Sequence, residues 1–300
     1  MKMKISRLFI ITTMIIFAAT SNVTAQIKLT LNPKVGTSYE MNAEVKSTIN
    51  TLIGNSKIPI DVTTTQTYMM TVIGKTSEGT KLNFIYKRFT VGISGMMMNL
   101  SFDSESKTEP TTEIDKTLSA IINPIIDKTF SIVIDTDGKI VSLTGMDAVI
   151  KSMESSSAAN PALAPVTGMI KQLFSDETMK QTFFQYFSYC NSNVIKTGDT
   201  WQKDNTVNIS GIKGKIKSNY TLKSVTGTTA KIEANSNIDF DMKSQGIGTA
   251  TGTQIELIEV NTETGVPIMQ NIEQNITHSS NNTNIEIVNK GVTRIKIKDR

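Results

Sequence analysis

The chain has one cysteine, one histidine and one tryptophan in 300 residues. A single cysteine cannot form an internal disulfide, so the fold must rest on its core. Cys190 and His278 lie far apart in sequence, without the close ligand spacing of a zinc site. Nucleophilic catalysis fares no better. His278 sits in the polar segment Ile276-Thr277-His278-Ser279-Ser280-Asn281, and no Gly-x-Ser-x-Gly elbow is present. Aromatic residues make up only 6% of the chain, too few for the several exposed rings of a carbohydrate platform. No catalytic residue, metal ligand or cofactor is therefore expected, and the protein is read as a non-enzyme.

A strong charge bias is also lacking. Lys and Arg total 31 against 27 Asp and Glu, and the first 25 residues contribute Lys2, Lys4 and Arg7 with no acid. The remainder carries 31 − 3 = 28 positive and 27 negative charges. Phosphate binding needs a basic surface, so no nucleic-acid partner is expected. Lys290, Arg294, Lys296, Lys298 and Arg300 form a basic run alternating with Ile295 and Ile297, which reads as an edge strand protected by charge.

What is present begins with an export pattern. Lys2, Lys4 and Arg7 precede the apolar stretch Leu8 to Ala19, and Val23-Thr24-Ala25 supplies small residues ahead of Gln26. That stretch is shorter than the ~20 apolar residues a membrane-spanning helix needs. Residues 1–25 are thus expected to be a cleaved signal peptide. No Cys stands at the cut to carry a lipid. The expected location is periplasmic or secreted, without an integral membrane segment after cleavage.

Residues 26–145 read as a β unit. Tyr39, Met41, Ala43 and Val45 alternate with polar residues, and Ile58, Ile60, Val62, Tyr68, Met70 and Val72 share one parity. Leu82, Phe84 and Tyr86 switch to Phe89, Val91 and Ile93, which places a β-bulge near Lys87-Arg88. Thr112 with Asp115 resembles a capping box before a short helix. Phe130, Ile132 and Ile134 then lead into Asp135-Thr136-Asp137-Gly138 and out through Ile140 and Leu143, a hairpin. An EF-hand start is rejected there, because the twelfth position is Met146 and not Glu.

Residues 146–190 read as helical. Met146, Val149, Ile150 and Met153 recur at helical spacing, as do Met169, Ile170, Leu173 and Phe174. Ser175-Asp176-Glu177 caps a further helix bearing Met179, Phe183, Tyr186, Phe187 and Cys190. Residues 191–300 repeat the first unit in outline. Gly198-Asp199-Thr200-Trp201 answers Gly36-Thr37-Ser38-Tyr39, the strand at Tyr220 answers that at Tyr68, and Gly227 answers Gly79. Trp201 is expected to anchor this second unit.

The motifs Leu29-x-Leu31 with Gly36 and Tyr39, Phe130-x-Ile132-x-Ile134-Asp135-x-x-Gly138-Lys139, and Gly198-Asp199-Thr200-Trp201 resemble an uncharacterised family of secreted Bacteroidota proteins carrying a domain of unknown function. The resemblance covers nearly all of the chain after residue 25. It implies an envelope or secreted location and supplies no catalytic residues.

The expected fold is α+β: two pseudo-repeated, curved, half-barrel-like antiparallel β units with a helical segment inserted between them. A curved sheet facing amphipathic helices can enclose an apolar groove. A hydrophobic or lipid-like ligand is the expected partner. Met179, Phe183 and Phe187 of the helical stripe are the groove candidates, with Met96 and Met98 of the adaptable Met96-Met97-Met98 run. The alternatives are a scaffold that docks an envelope protein and, third, a hydrolase.

Exported protein should begin at Gln26. Intact-mass analysis of the envelope or secreted fraction checks this, and retention of residues 1–25 there would refute the signal-peptide expectation.

Overall fold

A computed structural model describes residues 26–53, 56–95, 98–158, 171, 174–209, 212–241, 248–279 and 284–298. The expected signal segment, Met96, and Met169, Ile170 and Leu173 lie outside the described residues.

The architecture is α+β and dominated by strands. A short strand β1 (Ile27–Leu29) precedes β2 (Ser38–Ile53), β3 (Ser56–Thr76), β4 (Gly79–Gly95) and β5 (Met98–Asp103). Helix α1 (Glu113–Ile122) starts at the Thr112 capping box and ends in a 3₁₀ turn at Asn123–Ile125, where Pro124 cannot continue an α-helix. The hairpin β6 (Thr129–Ile134) and β7 (Ile140–Thr144) follows, then α2 (Met146–Ala158) and α3 (Asp176–Phe187). The second unit comprises β8 (Asn191–Ile195), β9 (Thr200–Ile209), β10 (Ile212–Thr226), β11 (Thr229–Asp241), β12 (Thr249–Asn261), β13 (Pro267–Ser279) and β14 (Asn284–Ile297).

The two units share their turn chemistry. Gly36 N–H donates to Val72 O and Val72 N–H to Thr37 O; Gly198 N–H donates to Leu222 O and Leu222 N–H to Asp199 O. The β6–β7 turn is wound by Asp135 Oδ1, which accepts from Asp137 and Lys139 N–H. The β12–β13 turn is wound in the same way by Asn261 Oδ1, which accepts from Glu263 and Thr264 N–H. Such Asx turns explain the Asp-x-x-Gly signature without a bound ion. The bulge falls where the parity change put it: Thr67 faces Arg88 while Tyr68 faces Tyr86, leaving Lys87 unpaired.

The units do not form separate sheets. The order β7-β6-β4-β3-β2-β14-β13-β12-β11-β10-β9 is one antiparallel ladder, with β5 paired to β4. β14 is therefore an interior strand, pairing β13 on one side and β2 on the other, and the expectation of a charged edge strand is corrected. Charge alternating with isoleucine fits any antiparallel strand whose one face meets solvent, at the edge or inside the sheet. Lys290 reaches Glu273 and Lys298 reaches Glu40 across that outer face.

Each unit continues differently after its last hairpin. The C-terminal copy continues as β14, which bridges β13 and β2. The N-terminal copy continues as helices, and α3 packs against both β7 and β9, the two edges of the sheet. Both edges reaching one helix means the sheet is curled. Lys203 on β9 also ties the edges, donating from Nζ to Asp137 O at 3.0 Å in the β6–β7 turn. Gly138 in that turn has φ +82°, and a Cβ there would stand 1.9 Å from Phe187 O, so only glycine lets the hairpin meet the end of α3.

The core lies on the inner face of the curl. Tyr68, Met70, Val72, Leu82, Phe84, Phe130, Leu222 and Ile232 are buried there in one cluster with Phe183 and Phe187 of α3 and Val149 and Met153 of α2. Helix α3 ends at Phe187, so Cys190 lies in the following turn and not on the helix, a correction to its expected place. The chain must extend at once into β8, which pairs with β1.

Phe183 packs its ring 4.6 Å from Phe84, 5.3 Å from Phe130 and 5.9 Å from Tyr68. Phe183→Ala should cost ~3–5 kcal/mol of stability, as for other buried Phe truncations. Urea denaturation monitored by circular dichroism checks the value.

Candidate functional site

Antiparallel register turns the inner face into rows, one residue per strand. One row is polar across seven strands: Lys203, Ser218, Ser236, Gln254, Gln274, Asn289 and Ser47, each directly opposite the next. Ser218 and Ser236 hydroxyls lie 2.7 Å apart. Asn289 Nδ2 donates to Gln274 Oε1 at 2.6 Å, Gln274 Nε2 to Gln254 Oε1 at 2.9 Å, and Gln254 Nε2 to Glu256 Oε1. Three amides thus donate in one direction, and the chain ends on a carboxyl group. Amide bonds aligned this way polarise one another toward the final acceptor.

The next row outward is apolar. Ile216, Ile238, Gly252, Ile276, Ile287, Ile49 and Ile60 stand opposite one another in turn. Ile216 and Ile238 are buried with Val207, while Ile276, Ile287, Ile49 and Ile60 are half-buried. Gly252 has no side chain because a Cβ would meet Asn275 O at 2.3 Å, so β12 and β13 press together there. The inner face thus changes along its length from a helix-covered aromatic core, through a polar band, to a partly accessible isoleucine band.

Glu256 stands at the junction of core and polar band, only 3% exposed. Its Oε2 has no hydrogen-bond partner among the described protein groups. Desolvation pushes its pKa from the ordinary 4.5 up to about 7, and the Gln254 hydrogen bond opposes that only in part. A cavity of about 20 Å³ beside it is lined by Ser218, Tyr220, Gln254, Ser188, Ile216, Phe184, Gln185, Lys203 and Asn205. Tyr220 Oη donates to Ser188 Oγ at 2.8 Å on its wall. Phe184, Lys203 and Asn205 also border a cleft of about 600 Å³ between the β6–β7 turn, α3 and β9.

The expected groove residues fall as follows. Met179, Phe183 and Phe187 are 4%, 0% and 0% exposed and pack on protein beneath α3. Met98 opens β5 opposite Gly95, on the far side of β4 from β3. Met96 is not among the described residues. The structure therefore gathers the helical stripe into the core and does not bring Met98 to it. The polar row and Glu256 were missed. Their signal is present in the sequence: Ser218 and Ser236 interrupt an apolar alternation at the inward parity.

Other reactive groups are held by the fold. Cys190 is fully buried, and burial pushes its thiol up to about 12, so it stays protonated at neutral pH. His278 is 7% exposed, and its Nδ1 lies 2.8 Å from Thr249 O on the neighbouring strand, where it must donate to the carbonyl. Trp201 stacks on Tyr220 with ring centroids 5.4 Å apart. Among the described residues, no group of three or more His, Cys, Asp or Glu is placed to hold a metal ion. Nor is any helix among them long and apolar enough to cross a membrane.

Residues 77–267 match the family of unknown function DUF6263. That is more than half of the chain, and the protein belongs to this family. No curated protein matches the sequence. Among solved structures, one of lipovitellin concerned with lipid–protein interactions superposes with a TM-score of 0.48 at 8% identity, over 89% of this chain and 25% of that one. This chain thus spans a quarter of the lipovitellin chain. An outer membrane channel from Pseudomonas putida F1 gives 0.34 at 9% identity, over 89% and 97% of the two chains. The translocator domain of the autotransporter NalP from Neisseria meningitidis gives 0.24 at 7% identity, over 87% and 89%. Superpositions this loose at identities this low carry no information about function.

Glu256 makes stability depend on pH. Below about 4.5 its carboxyl is protonated whether the chain is folded or not. Between about 4.5 and about 7 the unfolded chain has lost the proton and the folded chain keeps it, so stability falls as pH rises. Above that window this group adds no further slope. The loss is on the order of 3 kcal/mol. Urea midpoints at pH 5 and pH 8 should differ less in Glu256→Gln than in the native protein, and an equal difference would refute the assignment.

Proposed function

We propose that the protein is a non-enzymatic, exported envelope protein that binds a hydrophobic or lipid-like ligand on the inner face of its curled sheet. The observation that carries this is the half-buried isoleucine row beside a polar row. Protein interiors seldom leave a continuous apolar band partly open, and such bands mark interaction sites. The row crosses six strand intervals from β10 to β3, roughly 28 Å at ~4.7 Å per interval, which suits an extended acyl chain. The adjacent amides can satisfy the polar end of an amphiphile while the isoleucines take its tail. In this reading the Met179-Phe183-Phe187 stripe closes the inner end of the groove. Export rests on the n-region, apolar stretch and Ala25-Gln26 junction, and fits a protein that meets lipid in the envelope.

Native mass spectrometry of protein purified from its own envelope should show a co-purifying lipid. Ile276→Asp and Ile287→Asp change half-buried positions of the row and should reduce lipid occupancy severalfold while the far-ultraviolet spectrum is kept. A stoichiometric protein partner with no lipid would favour the scaffold alternative. Occupancy unchanged by both substitutions would move the site off this face.

A further inference from the structure

Among the described residues, Glu256 is the one acid whose buried oxygen lacks a hydrogen-bond partner; the other unpartnered buried atoms are neutral, on Gln181, Trp201 and Gln270. Glu256 is 3% exposed, accepts at Oε1 from Gln254, and leaves Oε2 without a partner beside the small cavity. An unpaired buried polar atom costs free energy that a ligand group can recover. Replacing Glu256 with an apolar residue of similar size would remove that cost, so the acid is expensive as structure alone.

The size and lining of the cavity restrict what could complete it. About 20 Å³ admits a single water-sized group, since one water needs roughly 10–15 Å³. Phosphate, carboxylate and quaternary ammonium heads are too large. A carboxylate would also set anion against acid. The walls offer Ser218, Ser188 and Tyr220 hydroxyls and the Gln254 amide, all neutral. Lys203 also lines the cavity, and its positive charge disfavours a cationic head there. Ile216 lines the same cavity and begins the isoleucine row, so a group bound here continues directly onto the apolar band. A neutral hydroxyl matches every part: it can donate to Oε2, accept from a wall hydroxyl, and sit at the end of a slender chain.

We propose that the cavity beside Glu256 receives the terminal hydroxyl of a long-chain aliphatic alcohol, whose tail lies along the isoleucine row. This rests on the ligand-binding reading of the inner face and names the chemical class of the ligand. Glu256 is the hydrogen-bond acceptor and Gln254 holds its carboxyl in place.

The test uses three ten-carbon probes that differ only at the head: 1-decanol, decylammonium and decanoate. Binding of each to the purified protein is measured by titration calorimetry. The native protein should prefer decanol over both charged probes by about tenfold or more, as expected when one buried hydrogen bond decides selection. Glu256→Leu, its fold checked by circular dichroism, should lose that preference by weakening decanol about tenfold, while decanoate is not weakened once the acid that opposes it is gone. Glu256→Gln keeps an acceptor and should retain the preference. If all three probes bind the native protein equally, or if Glu256→Leu keeps the preference, the hydroxyl site is refuted while ligand binding on the face stands. Preference for decylammonium refutes it in favour of an ionic site. If no probe binds, this proposal and the ligand-binding reading fall together.

Discussion

The backbone pairing of β14 with β2 is the interaction on which the rest of the molecule depends. It runs from Asn284 opposite Leu52 to Ile297 opposite Tyr39. Each residue pair along it keeps inner positions on one face, because the side-chain period of a strand is two. A one-residue slip would turn Asn289 and Ile287 outward and break both rows at the junction of the two halves. The row of amides and the row of isoleucines are therefore properties of the joined sheet and not of either unit alone.

The pseudo-repeat makes the asymmetry of the molecule informative. The turn at Gly36 and Val72 is matched by that at Gly198 and Leu222, and the Asp135 turn by the Asn261 turn. After the second hairpin the C-terminal copy supplies a strand that unites the halves. After the corresponding hairpin the N-terminal copy supplies α3, which packs on both free edges. A helix cannot complete a β ladder, so the two edges remain unpaired to each other and a cleft persists along α3. Phe184, Lys203 and Asn205 line both that cleft and the small cavity beside Glu256.

The inner face divides its work by depth. Under α3 it is aromatic and closely packed, with Phe183 against Phe84, Phe130 and Tyr68, and this part holds the fold. Farther along each strand the same face carries Ser, Gln and Asn, then isoleucine with half-buried surface. Polar residues on an inward parity cost stability unless they bond to one another, and here they do so across four strands and more. Among the described sheet residues of inward parity, Glu256 Oε2 and Gln270 Oε1 are left without a partner, and only the first belongs to an acid. Positions where local rules fail are where function is expected, and Glu256 lies between the core and the accessible band.

Much of the fold was legible in sequence because it is local chemistry. Alternation marked the strands, Thr112 with Asp115 marked a helix start, the parity change near Lys87 marked a bulge, and paired Gly turns marked a duplication. The apolar stripe Met179-Phe183-Phe187 was equally legible, but periodicity states only that a face is buried, not whether protein or ligand buries it. Tertiary structure decided that protein does. It also decided that β14 is interior, since alternation is the same at an edge and within a sheet. The polar row could not be read at all as a row. Ser218, Ser236, Gln254, Gln274 and Asn289 are separated by long stretches of chain, and only strand register sets them side by side. The sequence determines which residues face inward; register between distant strands decides which of them meet.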